Sequence, residues 1–293
     1  MDTWEAIADH IGRATGTPFR PTSRGALGGG CISAASRLTD GKRSYFVKVN
    51  DASRLAMFEA ERDGLEAIAE TGTLRVPRPV CAGLAAGRSY LVLEHIDMGG
   101  TRTGSAALAG RGLAAMHRHT AGSFGWDRDN TIGATPQPNP WTASWLDFWR
   151  EHRLGFQLDL AAQGGHGGRL QRLGERLLVA LPALLTHAPA PSLLHGDLWG
   201  GNIGYAAGGE PVVFDPAVYY GDREADLAMT ELFGGFGADF YAAYREAWPL
   251  DAGYAVRRVL YNLYHVLNHL NLFGGGYRGQ AEEMMERLLA EVG

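Results

Sequence analysis

The stretch HGDLWGGN, residues 195–202, brings an acid, three glycines and an amide together in eight consecutive residues. The apolar segment PSLL precedes it, and PVVFDP, which contains a second acid, Asp215, follows it. Short apolar segments on either side of a glycine-rich loop predict two strands, with polar side chains displayed where the strands end. The assignment of the fold therefore depends on which reaction requires Asp197, Asn202 and Asp215 together.

Asp197 and Asn202 form the pattern D-x-x-x-x-N, and Asp215 lies thirteen residues after Asn202. Phosphoryl transfer needs a positioned phosphate, a magnesium ion that neutralises its charge and a group that orients the attacking hydroxyl. Carboxylate and amide oxygens are suitable ligands for magnesium. We therefore interpret Asn202 and Asp215 as ligands of Mg²⁺ and Asp197 as the acceptor of a hydroxyl proton. The pattern alone is weak, because Asp, Asn and Gly are also common in ordinary loops.

Other parts of a nucleotide site precede this loop in the order that a kinase needs. Three glycines, Gly28, Gly29 and Gly30, lie between two predicted strands, where bare backbone amides can approach phosphates. Lys48 follows in the next strand, within YFVKV, where an unpaired charge between hydrophobic residues would be costly. Taken alone, Lys48 could equally be a structural lysine that extends its ammonium group to solvent.

Glu61 is the predicted partner of Lys48. A helix predicted over about residues 55–70 places Glu61 on the same face as apolar residues such as Phe58. Glu59 lies off that face and is the second choice. An inward glutamate paired with a strand lysine satisfies both buried charges and directs the ammonium group towards phosphate. Five elements in this order favour a kinase over an accidental arrangement.

The distribution of predicted elements indicates an α+β fold with two lobes. Residues 1–96 contain an amphipathic helix and several strands, with a hairpin signal at Asp40–Gly41. The glycine-rich segment DMGGTRTG then links them to a mostly helical remainder. We therefore predict a small, β-rich N-lobe over residues 1–96 and a larger, mainly helical C-lobe over residues 97–293.

Composition excludes several other classes of protein. The 293 residues carry a formal net charge of −5 without a basic patch, which argues against a nucleic-acid partner. The N-terminus lacks the pattern of a signal peptide, and the longest apolar run, LLVALPALL, is half the length of a membrane span. Two cysteines, Cys31 and Cys81, form neither a disulfide framework nor a zinc cluster. These observations predict a cytoplasmic protein with no membrane partner.

With these motifs in order, the sequence resembles the protein-kinase-like fold, in its small-molecule branch. Several stretches are similar to fructosamine 3-kinase and its ketosamine-kinase relatives, and they run through essentially the whole chain. The matching stretches are GGGCIS, FVKVN, MFEAERDGL, VPRPV, LEHIDM, LLHGDLWGGN, FDPAVYYGDREADLAM, FGGF and LNHLNLFGGGYR. HGDLW together with DPAVYYG is a specific combination, which generic aminoglycoside kinases do not usually share.

The resemblance implies ATP-dependent phosphorylation of the sugar moiety of ketosamines, which are adducts of a sugar with an amine. Phosphorylation at the third sugar carbon makes the adduct decompose and frees the amine, which is a deglycation. Gly196 stands where protein kinases usually carry the arginine that reads a phosphorylated activation loop. The resemblance also implies that Asp226 braces the catalytic loop and that the backbone of Glu94 and Ile96 contacts the adenine of ATP.

For the sugar, aromatic platforms are expected, because the apolar faces of sugars pack on rings. Trp199 is the first candidate, since it lies two residues after Asp197. Trp145 is a second candidate. It belongs to a stripe of tryptophans at four-residue spacing, a pattern that first of all indicates residues facing a core. The family resemblance adds Asn268 and His269 on a late helix.

Cys31, directly after the glycines, has two interpretations. It is either a small buried hydrophobe or, as relatives with a cysteine here imply, a redox-sensitive thiol that links two chains. The sequence leaves open whether the protein is a monomer or a homodimer.

Two other functions remain open at the level of sequence. One is a kinase of another small hydroxyl compound, such as an aminoglycoside or a choline-like metabolite. The other is a pseudokinase that binds nucleotide without turnover. The presence of Lys48, Asp197, Asn202 and Asp215 argues against the pseudokinase. The sequence does not distinguish fructosamines from ribulosamines, nor free from protein-bound ketosamines.

Overall fold

The structure is a computed structural model that describes residues 2–28 and 33–293. Its contacts divide the chain into two compact units. The first comprises Met1–Ser105 and Gly204–Pro216, and the second comprises Ala106–Ile203 and Ala217–Gly293. The first unit holds the large sheet and the second holds most of the helices, so the predicted α+β fold is confirmed.

The elements are numbered in chain order. The helices are α1 (Thr3–Thr15), α2 (Leu55–Thr71), α3 (Ser105–His117), α4 (Trp145–Trp149), α5 (Phe156–Gln163), α6 (Arg169–Leu184), α7 (Glu224–Leu232), α8 (Ala238–Ala247), α9 (Tyr254–Phe273) and α10 (Arg278–Ala290). The strands are β1 (Ser23–Leu27), β2 (Ala34–Thr39), β3 (Ser44–Asp51), β4 (Pro79–Ala85), β5 (Arg88–Glu94), β6 (Asn130–Ile132), β7 (Thr135–Gln137), β8 (Ser192–Leu194), β9 (Ile203–Tyr205), β10 (Pro211–Val213) and β11 (Tyr219–Gly221).

An antiparallel sheet with the strand order β1-β2-β3-β5-β4 forms the centre of the first unit. The predicted hairpin joins β2 to β3, and the carboxylate of Asp40 accepts hydrogen bonds from the backbone N–H groups of Lys42 and Arg43. Gly41 takes a φ of +89° in this turn, which a residue without a Cβ adopts without strain. Lys48 occupies the middle of β3, between β2 and β5.

Helix α2 has the bounds that the sequence predicts, to within one residue at its C-terminal end. It ends at Gly72, which adopts the left-handed conformation (φ 64°) common at helix ends. Phe58, Leu65 and Ile68 on one face are buried, as the periodicity predicts. Glu61 shares that face.

A hairpin from later in the chain belongs to the first unit. Strand β9 pairs with β10, and the N–H of Val213 donates to the carbonyl oxygen of Arg75 (2.9 Å). The N–H of Gly99 likewise donates to the carbonyl oxygen of Tyr205 (2.9 Å). These backbone bonds attach residues 97–105 and 204–216 to the first unit, so the division differs from the boundary predicted after residue 96. As a result, Asp215 belongs to the same unit as Lys48.

The second unit is built around α9, whose buried face joins a large hydrophobic core. The core includes Trp149, Leu177, Tyr261 and Leu267, which are almost completely buried. Within residues 2–28 and 33–293, no helix combines the length and the apolar character needed to cross a bilayer.

Candidate active site

Lys48 joins two acids in the first unit. Its Nζ donates to Oε1 of Glu61 and to Oδ1 of Asp215, each at 2.6 Å. The side chains of Lys48 and Glu61 are largely buried, whereas that of Asp215 is 43% exposed. The structure therefore brings together three predicted site residues that are up to 167 positions apart in the sequence, and it selects Glu61 over Glu59 as the partner of the lysine.

The neighbouring carboxylates favour the ionised form of Lys48. Burial alone would lower the pKa of Lys48, but the neighbouring charges of Glu61 and Asp215 outweigh it and hold the pKa above its ordinary value. Two carboxylates share this one ammonium group, and burial together with the charge of Asp215 raises the pKa of Glu61. Carboxylate oxygens are ligands that magnesium prefers, so Asp215 fits a magnesium ligand.

Asp215 has a backbone conformation that few residues tolerate. Its φ is 57°, in the left-handed region, where Asp and Asn occur more readily than other residues with a side chain. It lies two residues after the end of β10, as the sequence predicts for an acid at the end of a strand. The surrounding structure therefore holds the Asp215 carboxylate in a fixed direction, with one oxygen on Lys48.

In the second unit, the catalytic-loop candidate follows β8, which pairs with β11. The N–H groups of His195 and Gly196 donate to the two carboxylate oxygens of Asp226 on α7 (2.7 and 2.8 Å). Burial would raise the pKa of Asp226, but these hydrogen bonds and that of His117 lower it below its ordinary value. As the resemblance implies, Asp226 braces the loop, and it does so as an ionised carboxylate.

Gly196 explains the absence of an arginine at this point of the loop. Its φ is +82°, and a Cβ placed on it would lie 2.0 Å from the carbonyl oxygen of Ala217. The backbone N–H of Ala217 also donates to the carbonyl oxygen of His195 (2.8 Å). The two segments that contain Gly196 and Ala217 are packed so closely here that only glycine fits at position 196.

Asn202 is tied to Asp197 within the second unit. Its Nδ2 donates to the backbone carbonyl oxygen of Asp197 (2.8 Å) and to the Oδ2 of Asp197 (3.2 Å). The amide nitrogen therefore faces the acid, which leaves Oδ1 as the Asn202 atom suited to a metal ion. Asp197 itself is half-buried, so its carboxylate retains access to solvent.

An aromatic cluster lies beside this loop, formed by Trp199, Phe233, His269, Phe273 and Tyr277. Trp199, which is 40% exposed, meets the edge of Phe233 with ring centroids 6.2 Å apart. His269 contacts Phe233 at 5.0 Å and stacks with Phe273 and Tyr277 at 5.4 and 5.2 Å. Burial lowers the pKa of His269, so the ring is neutral near pH 7. The two predicted residues Trp199 and His269 thus belong to one surface.

The structure does not place Trp145 or Asn268 on that surface. Trp145 is 4% exposed, and its indole N–H donates to the hydroxyl of Tyr261 (3.0 Å), so the prediction of a sugar contact is wrong. The four-residue spacing of the tryptophans therefore reflects packing in the core, where Trp145 lies. Asn268 is also buried, and its amide bonds to Gln157 and to the carbonyl oxygen of Ile132, which removes it from contact with a substrate.

The remaining predicted residues belong to the nucleotide side. Glu94 ends β5, and its backbone N–H donates to the carbonyl oxygen of Arg78 (2.8 Å), so only its carbonyl could meet an adenine edge. Ile96 follows, half-buried. Gly28 is exposed, whereas Gly29, Gly30 and Cys31 lie outside the described residues, so their roles stay predictions.

A cluster elsewhere in the second unit has the composition of a metal site. His187, Asp222 and Glu224 come close together, but the guanidinium of Arg257 donates to both oxygens of Glu224 (2.6 and 2.8 Å). Asp222 accepts from His187 and from the hydroxyl of Tyr261. Nδ1 of His187 has no hydrogen-bond partner among the described residues, but the facing carboxylates are held by Arg257, Tyr261 and His187 Nε2, so we interpret the cluster as structural.

Comparison with known proteins decides the family. The family model described as fructosamine kinase matches residues 3–291. The chain belongs to the fructosamine kinase family. It is 52% identical over 287 residues to a "Probable ketoamine kinase" of Synechocystis, covering 98% of this chain and 97% of that protein. It is 48% identical to a chloroplastic protein-ribulosamine 3-kinase of Arabidopsis thaliana, covering 92% and 83% respectively.

Solved structures agree with this membership of the fructosamine kinase family. A "Putative fructosamine-3-kinase" from Haemophilus somnus matches with a TM-score of 0.90 and 30% identity over 98% of each chain. An aminoglycoside phosphotransferase matches with a TM-score of 0.63 at 17% identity, over 97% of this chain and 98% of the other, and shows the fold alone. The predicted protein-kinase-like fold and the predicted ATP-dependent kinase are therefore confirmed.

Sequence reasoning missed the partners of His269 in the aromatic cluster. Phe233 directly follows α7 and Phe273 is the last residue of α9, and each precedes two or more glycines, in FGGF and FGGGY. An exposed aromatic residue at the end of a helix, followed by glycines, is the signal that could have identified them. Tyr277, immediately before α10, also contacts His269.

Proposed function

We propose that this kinase transfers the terminal phosphate of ATP to the third-carbon hydroxyl of the sugar in ketosamines. The observation that carries the proposal is the contact of Lys48 with both Glu61 and Asp215, in a chain whose relatives are named for ketoamines and ribulosamines. A phosphorylated ketosamine of this kind decomposes and frees its amine, so the reaction supports deglycation.

Lys48 would bind the phosphates of the nucleotide. Its ammonium group remains charged, and Glu61 holds it in place, so it can bind phosphate oxygens of ATP. The glycines Gly28, Gly29 and Gly30 would approach the same phosphates with backbone amides. The backbone of Glu94 and Ile96 would meet the adenine.

Asp215 and Asn202 would hold Mg²⁺, which when bound neutralises charge on the phosphates. The half-exposed carboxylate of Asp215 and the Nδ2 contacts of Asn202 with Asp197, which leave Oδ1 as the ligand atom, support this assignment. Asp215 also keeps Lys48 positioned, so one carboxylate serves both the metal ion and the lysine.

Asp197 would act as the general base. The acceptor hydroxyl gives its proton to the Asp197 carboxylate while its oxygen forms a bond to the terminal phosphorus, and the bond from that phosphorus to ADP breaks. The amide of Asn202 and the backbone braced by Asp226 fix the direction of the carboxylate. The chain therefore contributes orientation and charge and forms no covalent bond with the phosphate.

The aromatic cluster would bind the sugar. Trp199 offers an exposed ring for the apolar face of the sugar, close in sequence to Asp197. His269 is neutral, and its Nδ1 is buried without a hydrogen-bond partner among the described residues. A sugar hydroxyl would satisfy that atom.

A panel of acceptors tests the proposal. Purified protein is given ATP, with and without Mg²⁺, and fructosyl-amines, ribulosyl-amines, an aminoglycoside or choline, and release of ADP is measured. We expect magnesium-dependent ADP release with one or both ketosamines. Release only with the other acceptors, or nucleotide binding without turnover, would contradict the proposal.

A further inference from the structure

Three buried amide side chains, those of Asn130, Gln137 and Asn139, form a hydrogen-bonded group in the second unit, which we call the amide network. Asn130 begins β6, Gln137 ends β7 and Asn139 follows β7. Oδ1 of Asn130 accepts hydrogen bonds from Nε2 of Gln137 (2.8 Å) and from Nδ2 of Asn139 (3.0 Å). Burial of amides is costly unless each is paired, so their partners outside the amide network show what it holds in place.

The amide network donates to two successive backbone carbonyl groups. Nε2 of Gln137 donates to the carbonyl oxygen of Ala217 (3.1 Å), and Nδ2 of Asn130 donates to the carbonyl oxygen of Val218 (2.8 Å). Both acceptors precede β11, which begins at Tyr219 and pairs with β8. The amide network therefore fixes a short backbone segment that the strand pairing does not include.

That segment is the immediate neighbour of the catalytic loop. The N–H of Ala217 donates to the carbonyl oxygen of His195 (2.8 Å), and the carbonyl oxygen of Ala217 lies so close to Gly196 that a Cβ there would be 2.0 Å away. Gln137 holds this same carbonyl oxygen. A displacement of Ala217 therefore moves the residues that directly precede Asp197.

Two further buried side chains fix the orientation of the amides. The hydroxyl of Tyr264 on α9 donates to Oε1 of Gln137 (2.7 Å), and burial raises the pKa of Tyr264, so this hydroxyl stays protonated. Nη2 of Arg153, which is completely buried, donates to Oδ1 of Asn139 (2.7 Å). Because Oε1 of Gln137 accepts from Tyr264, its Nε2 is the atom that faces Ala217.

We propose that Gln137 is a positioning residue for phosphoryl transfer: it holds the Ala217 carbonyl against Gly196 and thereby sets the direction of the Asp197 carboxylate. Gln137 is only 1% exposed, so it acts through the backbone and not by contact with a substrate. The inference rests on the proposed function and adds a residue that lies outside the kinase motifs of the sequence. Its loss should lower kcat and leave the KM for ATP unchanged, because Lys48 belongs to the first unit.

Gln137→Met tests the hydrogen bond to Ala217, because methionine has nearly the same length and no amide donor. ADP release is measured with the ketosamine that the acceptor panel selects, and folding is followed by circular dichroism. We expect kcat to fall by about tenfold or more, since small displacements of catalytic groups are costly. Leu177→Ala, at a completely buried leucine on α6, is the control: it lowers the melting temperature without altering the amide network and should keep kcat near that of the wild type.

Gln137→Glu gives a readout that loss of stability alone does not produce. A protonated glutamic acid can donate its O–H to the Ala217 carbonyl, whereas an ionised carboxylate has no donor and repels that oxygen. Burial raises the pKa of a carboxyl group, so the acid form is retained at the lower end of the range. We expect the ratio of kcat for Gln137→Glu to kcat for the wild type to fall as pH rises from about 6 to about 9.

Three outcomes would overturn this inference and leave the proposed function intact. They are a kcat of folded Gln137→Met close to that of the wild type, an equal loss of kcat in Leu177→Ala, and a kcat ratio for Gln137→Glu that does not change with pH. The third measurement decides the question if Gln137→Met does not fold. Absence of ADP release by the wild type with every acceptor of the panel overturns the inference and the proposed function together.

Discussion

Gly200 and Gly235 touch through their backbones. A Cβ placed on Gly235 would lie 2.9 Å from the Cα of Gly200, and Gly235 has a φ of +104°. Gly200 belongs to the loop between Asp197 and Asn202, and Gly235 follows Phe233 of the aromatic cluster. The loop that carries the proposed base thus packs directly on the segment that carries an aromatic residue of the proposed sugar site.

Gly235→Ala should therefore lower turnover. The new methyl group displaces the loop at Gly200, and the positive φ adds strain of about 1–3 kcal/mol. We expect kcat to fall by about tenfold or more, since small displacements of catalytic groups are costly. Gly237→Ala is the control, because nothing lies within 4 Å of its Cβ position and its φ is −84°. Equal kcat values for the two variants would show that the contact has no role in positioning.

Asp197→Asn should reduce kcat by roughly 10²–10⁴, the usual contribution of a general base, while nucleotide affinity stays nearly unchanged. Asparagine keeps the shape of the side chain and can still accept the hydrogen bond from Nδ2 of Asn202. Steady-state kinetics and ADP binding measure the two effects. A near-normal rate would remove Asp197 from its proposed role.

Asp215→Asn should weaken magnesium-dependent nucleotide binding. Asparagine tolerates the left-handed backbone at this position, so the substitution removes charge without forcing a new conformation. Loss of a charged contact costs roughly 10- to 100-fold in affinity. Titration of nucleotide with and without Mg²⁺ measures it, with the exposed Asp9→Asn as control. An unchanged magnesium titration would count against the ligand role.

His265 makes stability depend on pH. Burial lowers its pKa to about 3, whereas the unfolded value is 6.5, so the unfolded chain binds one more proton between these values. The free energy of unfolding should fall as pH decreases below 6.5, by up to about 1.4 kcal/mol per pH unit from this residue. Urea denaturation at pH 7.5, 6 and 5 measures the slope.

His265→Gln should flatten that slope, whereas His119→Gln, at an exposed histidine, should leave it unchanged. Burial of a neutral imidazole is the physical cause, so the difference between the two variants is diagnostic. A slope that is the same in the wild type and His265→Gln would assign the acid sensitivity to other groups.

The order and chemistry of the motifs allowed much of the candidate site to be predicted. Lys48 and Glu61 are buried charges that mutual contact makes favourable, so their pairing followed from the cost of isolated charge, whereas the contact of Lys48 with Asp215 was not predicted. The helix register separated Glu61 from Glu59. Spacing alone, however, does not show which strand hairpins pack together, so it does not predict that the segment containing Asp215 groups with the first unit.

Aromatic residues were harder to assign from the sequence. A stripe at helical spacing has the same pattern whether it faces a core or a ligand, and only packing shows that Trp145 is buried. Asn268 and His269 are neighbours on α9, but successive helical residues point about 100° apart, so one is buried and the other reaches the aromatic cluster. Phe273 lies one turn further along the same face.

The close packing of Gly196 against Ala217 has a consequence for how this enzyme can be controlled. Every other amino acid is sterically barred from that position, including the arginine that lets protein kinases sense a phosphorylated segment. Natural variation at this codon therefore offers no route to such a sensor, and control by phosphorylation would have to arise elsewhere in the chain.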